Sequence, residues 1–490
     1  MEKQINRANF APVSIKKNVI YSIILACSGY VFTLVTYPYV SRVLGVTNIG
    51  ICNFVNSIVQ YFIFFSSLGI NIQGVREIAR VRNNPEELNR CFSSLFFLNA
   101  ITAIVAVVVY LLVMFLVPQL ASYRRLLCIG LLQIVMTPFL IEWFYKGIEN
   151  FRYITLRSLI VKLVYVVSVF LFVKEENDFE LYFALSCGMM VLNSLFNWSY
   201  KKQYVKFRFS GISLSPYIRS YLILGLYMLL TSMYTTLNTT FLGFCAGDKE
   251  VGYYTTATKL QTIILSLYTA FTTVMLPRMS SLNKLHDIKG MRELLLKSFN
   301  ILIVFSIPIV AYSIIYSPQI VRILSGDGYE GAIVPMMIIM PLIFLIGIDQ
   351  ILCIQILMPL KDDKIICMNS LLAAFCGLVM NFILVPHLKS VGSALVLLLS
   401  EIAVFISSYY FVRKRFGSIM PWRSIFKNLL AVLPLSYVLY YISGISDLVL
   451  SVLTGIVFTV VYVIVVQFYV LKDKMIVSLF NDVKQKFRGA

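Results

Sequence analysis

Two lysines, Lys162 and Lys259, stand inside otherwise apolar stretches of this chain. A charge so placed has to face a wet cavity or a partner, because facing hydrocarbon is costly. Around Lys259, positions 255, 259, 262, 266, 269 and 273 read Thr, Lys, Thr, Ser, Thr, Thr, a spacing that puts them along one face of a helix. Lys259 lies about nine residues from the outer end of its stretch, ~13 Å at the helical rise, which is deep for a lysine that merely snorkels to the surface. We therefore expect it to face a cavity, with Thr255 and Thr262 as its hydroxyl neighbours. Lys162 shares a face with Thr155, Ser158 and Tyr165 but sits only ~10 Å from the inner end, so a cavity role and a structural one balance there. Asn53, Asn56 and Gln60 line one face of another stretch, and Thr231, Thr235 and Asn238 a face of a third. The hydroxyls also have a plain helix-packing reading. Glu142, Asp349 and Glu401 are the acids in or near such stretches; each is an ion site or the structural partner of a cation. A cavity offering amides, hydroxyls and lysines suits a sugar-rich anion, whereas acids and aromatics would suit a lipophilic cation.

Other chemistries find little support. With His286 and His387 as the only histidines and no clustered carboxylates, the residues offer no metal site, and no cofactor is expected. The nine cysteines lie in or beside apolar blocks without paired spacing, as small core residues do. The acidic run Glu175, Glu176, Asp178 and Glu180 reads as a solvated turn rather than a catalytic cluster, so no enzyme is expected.

The elements that must hold these polar groups follow from composition. Of 490 residues, 59% are hydrophobic and 13% charged, against about 25% charged in soluble domains. The apolar residues form blocks of roughly 18 to 27, the length a helix needs to cross the hydrocarbon core. Fourteen spans result, from 18–40 and 49–70 at the start to 428–445 and 448–471 at the end. The first block follows a basic leader (Lys3, Arg7, Lys16, Lys17) but is too long for a cleaved signal peptide. With the amino terminus inside, the inner segments hold 33 of the 42 Lys and Arg residues and the outer connectors 7; cytoplasmic connectors carry such an excess. Both termini are thus expected in the cytoplasm, the net charge of +19 being orientation signal and attraction to anionic lipid rather than a nucleic-acid surface.

A shift of 202 residues aligns the chain with itself: Lys17 with Arg219, Gly45 with Gly247, Gly50 with Gly252, and Arg76 with Arg278. The matches fall at equivalent places in the hydropathy pattern. They predict an all-α polytopic membrane protein of about 14 transmembrane helices: two six-helix lobes forming a parallel pseudo-two-fold repeat (1–217 and 218–426), then two further helices and a cytoplasmic tail (427–490). Arg76 and Arg278 would flank the cytoplasmic mouth.

Glu142-Trp143-Phe144-Tyr145-Lys146-Gly147-Ile148-Glu149 followed by Phe151-Arg152-Tyr153-Ile154 resembles the signature of Wzx-type oligosaccharide flippases. So do Arg42-Val43-Leu44-Gly45 with Gly50, Gly74-Val75-Arg76-Glu77, and Val251-Gly252-Tyr253-Tyr254 through Ala257 and Lys259 to Pro277-Arg278. The resemblance implies the multidrug/oligosaccharidyl-lipid/polysaccharide exporter superfamily and a bacterial inner-membrane location. It implies as substrate an undecaprenyl-pyrophosphate-linked oligosaccharide, moved outward for O-antigen, capsule or exopolysaccharide assembly. Arg42, Arg76 and Arg278 join Lys162 and Lys259 as cleft cations on this basis. Membrane lipid and the polysaccharide polymerase or ligase machinery are the implied partners, with a monomer as the working unit. Related lipid II flippases carry arginines in the first span, but 18–40 here has no charge, which speaks against that substrate; the lack of an early acid speaks equally against a drug/cation antiporter. A membrane enzyme acting on polyprenyl-linked sugars is the remaining alternative.

Cysteine-accessibility labelling checks the orientation. Positions in 200–219, Lys201 among them, and in 413–427 should be shielded from an impermeant outside reagent, and positions in 174–179 reached by it.

Overall fold

The computed structural model describes residues 15–208, 211–233, 236–360 and 362–471. The leader cations Lys3 and Arg7, the end of the cytoplasmic tail, and the side chains of Thr231, Thr235 and Thr273 lie outside the described residues.

The chain packs as two compact units, Met1–Thr255 with Gly377–Ser393, and Thr256–Cys376 with Ala394–Ala490. Unit 1 contains α1 (Ile15–Ser67), α2 (Ile70–Val81), α3 (Pro85–Leu116), α4 (Arg124–Met136) and α5 (Glu142–Gly147). It continues with α6 (Phe151–Phe172), α7 (Phe179–Tyr200), α8 (Ser215–Met233), α9 (Thr236–Ala246) and the opening of α10 (Asp248–Lys284). Unit 2 takes the rest of α10, then α11 (Ile288–Ile315), α12 (Ser317–Ser325), α13 (Ile333–Ile339) and α14 (Leu342–Gln350). The outer parts of α15 (Asp363–Phe416), then α16 (Trp422–Ile442) and α17 (Leu448–Val465), complete it.

Every span expected from hydropathy coincides with helix. Among the described residues eleven stretches are long and apolar enough to cross a membrane, and two of them, Ile20–Val81 and Lys364–Phe416, are long enough to cross twice. These two bend where they must: α1 at Gly45 (φ +72°) and α15 at Lys389 (φ +51°). Helices α8 and α9 together form the remaining span, giving a polytopic membrane protein of about fourteen crossings. Among the described residues there is no strand, as hydrocarbon requires of any element that cannot close into a barrel. Ile104, Phe115 and Ile160, each about 60% exposed, are side chains that water would expel and lipid accepts. Helix starts carry local caps: Asn84 accepts from the Glu86 and Glu87 amides, Asn150 from Tyr153, Asp287 from Gly290 and Asp447 from Leu450, satisfying donors that the first turn leaves open.

Two features depart from the sequence reading. Helix α2 occupies what reads as a cytoplasmic connector; it buries Ile70, Gln73, Gly74 and Ile78 and leaves Arg76 and Arg80 exposed. Its buried face meets α5. A Cβ on Gly74 would lie 2.6 Å from the Trp143 ring, and one on Gly147 2.6 Å from the Ile78 side chain. The two motif stretches therefore form one packing unit, backed by Phe92, Phe144 and Tyr145. Lys201, chosen above as a labelling site, is buried with its ammonium 3.6 Å from the centre of the Trp198 ring. The exposed neighbour Lys202 is the position at which a cysteine reports orientation.

Gly74→Ala should lower stability by roughly 1–3 kcal/mol, the cost of overpacking a filled core. A thermal unfolding midpoint in detergent equal to that of the parent protein would show that α2 and α5 are less closely packed than described.

Candidate substrate-binding site

Beyond Gly45, α1 crosses the start of α10 backbone to backbone. A Cβ on Gly50 would fall 1.8 Å from the Asp248 carbonyl oxygen, and one on Gly252 2.3 Å from that of Val46. One turn on, Asn53 Nδ2 donates to Thr255 Oγ1 at 3.1 Å, and Thr255 in turn donates to the Val251 carbonyl at 2.8 Å. Gly50 and Gly252, like Asn53 and Thr255, are 202 residues apart, which is the repeat shift: equivalent positions meet one another. Gly45 and Gly247 both adopt positive φ, +72° and +85°. On the neighbouring helices Ser57 and Thr240 share a hydrogen bond of 2.8 Å, and buried Asn238 donates to the Tyr254 hydroxyl and the Ser393 carbonyl, both at 2.9 Å. Asn56 and Gln60 are half-buried and make no side-chain hydrogen bond to described residues.

Because α6 starts at its Asn150 cap, Lys162 is mid-helix, ~16 Å from the start at 1.5 Å per residue. Its Nζ donates to Ser28 Oγ at 2.8 Å, and Thr155 below it donates to the Tyr21 carbonyl at 3.0 Å. Thus α6 turns its polar face to the uncharged stretch 18–40 of α1. Among the described residues no carboxylate comes within ion-pairing distance of Lys162.

The Lys259 stripe divides between tasks. Lys259 is half-buried in unit 2, Thr262 returns its hydroxyl to the Thr258 carbonyl at 2.8 Å, and Thr269 accepts from Gln350 at 2.8 Å. The helix-packing reading accounts for those last two hydroxyls. Arg42 is exposed and donates to the Pro38 carbonyl at 2.6 Å. Arg76 and Arg278 are exposed and belong to different units.

The three acids differ sharply. Glu142 accepts from buried Arg157 at 2.8 Å and stands 3.3 Å from Lys146, while Arg157 also reaches the Asn193 carbonyl at 3.2 Å. This lock joins α5, α6 and α7. Sequence reading counted Arg157 as a connector cation; its position three residues after Ile154 on the buried face was the missed signal. Asp349 on α14 is 6% exposed, and neither of its carboxylate oxygens has a hydrogen-bond partner among the described residues. Glu401 on α15 is 7% exposed and close enough to act on Asp349 electrostatically. Among the described residues no three His, Cys, Asp or Glu side chains gather to hold a metal ion.

A many-helix bundle with cations and amides inside its spans defines a membrane transporter. A family model described as "Polysaccharide biosynthesis protein" matches residues 15–283, more than half of the chain, which therefore belongs to that family of membrane transporters. It is 25% identical over 416 residues to the "Putative O-antigen transporter" of Escherichia coli (strain K12), covering 83% of this chain and 98% of that one. The protein of the same name from Shigella dysenteriae is 23% identical over 398 residues, covering 80% and 98%. In fold the chain is similar to the lipid II flippase MurJ in an inward closed conformation (TM-score 0.73, 16% identity, 92% of this chain and 98% of that one). An inward-facing multidrug resistance MATE family transporter of the MOP superfamily gives a TM-score of 0.60 at 15% identity, covering 79% and 95%.

Replacing Glu142 by Gln leaves Arg157 buried without its counter-charge, a loss of ~3 kcal/mol. Membrane abundance and thermal stability should fall while transport per folded molecule holds; normal abundance with lost transport would instead make Glu142 an ion or substrate ligand.

Proposed function

We propose that the protein carries an undecaprenyl-pyrophosphate-linked oligosaccharide from the cytoplasmic to the outer leaflet of the bacterial inner membrane, with both termini in the cytoplasm. The observation that carries this reading is Lys162: a cation at mid-span whose described partner is a hydroxyl, not a carboxylate. Such a group is held ready for an anion rather than spent on structure. Lys259 supplies the second cation, and Asn53, Asn56, Gln60, Asn238, Thr255 and Thr262 supply donors and acceptors for sugar hydroxyls. The two repeat lobes, 1–217 and 218–426, give the cationic polar cleft alternating access to the two sides, the exchange expected of repeat-built transporters.

The energetics fit this direction. A pyrophosphate and sugars cannot enter hydrocarbon unaided, so the polar face takes the head group while the polyprenyl tail stays in lipid. Outward movement of negative charge is favoured by about 2.3 kcal/mol per charge per 100 mV of inside-negative potential. Arg76 and Arg278 draw the pyrophosphate to the inner mouth, and Arg42 meets it at the outer one. Asp349 and Glu401 form the ion-responsive pair of unit 2, and Glu142 serves structure. The "O-antigen transporter" wording of the two relatives supports O-antigen units as the cargo.

Lys162→Glu and Lys259→Glu, compared at matched membrane levels, should each cut flipping of labelled lipid-linked oligosaccharide in proteoliposomes by at least tenfold, the equivalent of about 1.4 kcal/mol. Undiminished flipping by both variants would remove the cationic cleft and leave the lysines as packing groups.

A further inference from the structure

A cavity of about 530 Å³ lies in unit 1 between the start of α6 and the end of α7. Its floor is polar and aromatic. Tyr153 and Tyr200 stack with ring centres 3.9 Å apart and planes 13° from parallel. Tyr204 accepts from Asn150 at 3.0 Å and lies 3.2 Å from the Tyr200 hydroxyl. Two polar groups on this floor are unspent: the Tyr153 hydroxyl and Arg157 Nε are buried without hydrogen-bond partners. Arg157 is 6% exposed, so its idle N–H is not turned to bulk water. Arg152 stands exposed on the wall, with no carboxylate in ion-pairing distance among the described residues.

The rim has the opposite character. Leu156, Ile160 and Phe196 line the same cavity and are 46%, 59% and 50% exposed, so this side faces hydrocarbon. The cavity thus offers two guanidinium groups and a phenol at one end and open apolar wall at the other. Guanidinium matches phosphate oxygens in charge and fork geometry, phenol and stacked rings suit the boundary between head groups and chains, and the apolar wall takes an acyl or prenyl chain. A free anion would leave the wall unused; a neutral hydrocarbon would leave Arg152, the Arg157 Nε–H and the Tyr153 hydroxyl without a partner.

We propose that this cavity is a binding site for a phosphate-bearing membrane amphiphile, seated with its phosphate on Arg152, Arg157 and Tyr153 and its chain against Leu156, Ile160 and Phe196. Two sources share that chemistry: an anionic phospholipid of the bilayer and the polyprenyl phosphate end of the cargo. The second source rests on the transport reading above; the first does not.

Native mass spectrometry of the intact full-length protein, titrated separately with phosphatidylglycerol and with undecaprenyl phosphate, tests the site. The probe variant is Arg152→Gln with Tyr153→Phe, which removes one charge and one hydroxyl while keeping the ring stack. Arg208→Gln, a charge loss at an exposed position outside the cavity, is the control. We expect the double variant to bind at least one of the two lipids about tenfold or more weakly, with the control unchanged. A loss confined to undecaprenyl phosphate identifies the cargo lipid as occupant, and a loss for phosphatidylglycerol identifies bilayer lipid. Equal binding by parent and double variant, an equal loss in the control, or displacement of the lipid by an equimolar amount of inorganic phosphate overturns the proposal. Should the double variant fail to fold, Arg152→Gln alone, at an exposed side chain, carries the same comparison.

Discussion

Hydrocarbon supplies no hydrogen bonds, so each backbone amide and carbonyl in the bilayer must find its partner inside the protein, and each polar side chain there must be matched or given a purpose. The rest of the structure follows from that demand. It makes the described chain helical, confines the bends to places such as Gly45 and Lys389, and turns most intramembrane hydroxyls back onto the carbonyl one turn earlier, as Thr33, Thr36, Ser306 and Thr459 do. It also separates ordinary polar residues from unusual ones. Arg157 and Glu142 meet the demand by pairing with one another and with Lys146. Lys162 meets it only with a hydroxyl, and Asp349 does not meet it within the described residues.

That contrast assigns tasks. A cation locked to a carboxylate has most of its charge matched and can offer an incoming anion only an unused N–H, as Arg157 does through Nε, whereas one held by a hydroxyl keeps nearly all of its attraction, and low surrounding polarity magnifies the difference. The family motif from Glu142 to Ile154 falls on the structural side of this division. Its acid holds three helices together, its tryptophan receives the bare backbone of Gly74, and its tyrosines feed the stack at the end of α7. The stretch is here a device for building one end of unit 1, and its Arg152 and Tyr153 also line the cavity beside α7.

Much of this was legible in the sequence, and the gaps have physical causes. Spans were legible because crossing length and apolarity leave few ways to be wrong, and all fourteen expected blocks coincide with helix. Helix α2 was not, since its twelve residues are amphipathic rather than apolar and resemble a charged connector until Trp143 is seen against Gly74. Lys162 falls at the middle of α6 because the helix already begins with Phe151, Arg152 and Tyr153, ahead of the apolar block expected from 156. Pairing of Glu142 with Arg157 joins residues 15 apart across a turn whose geometry no periodicity encodes, and the burial of Lys201 depends on Trp198 and Phe207 closing over it.

The contact between Asn53 and Thr255 was in reach of sequence alone. Asn53 and Thr255 are separated by the repeat shift and in hydrogen-bond contact, so equivalent positions of the sequence repeat touch. Both residues had been picked out as polar groups inside spans, and the shift of 202 had been found from glycines and arginines; their difference in number is that same shift. The glycines one turn earlier explain why the two helices meet there. Only residues without a Cβ allow two helices to meet carbonyl to backbone, and Gly50 and Gly252 are bare at the same repeat position. Once the helices are that close, the next inward-facing pair has to be small and polar enough to touch, which an amide and a hydroxyl achieve and two larger apolar side chains would not.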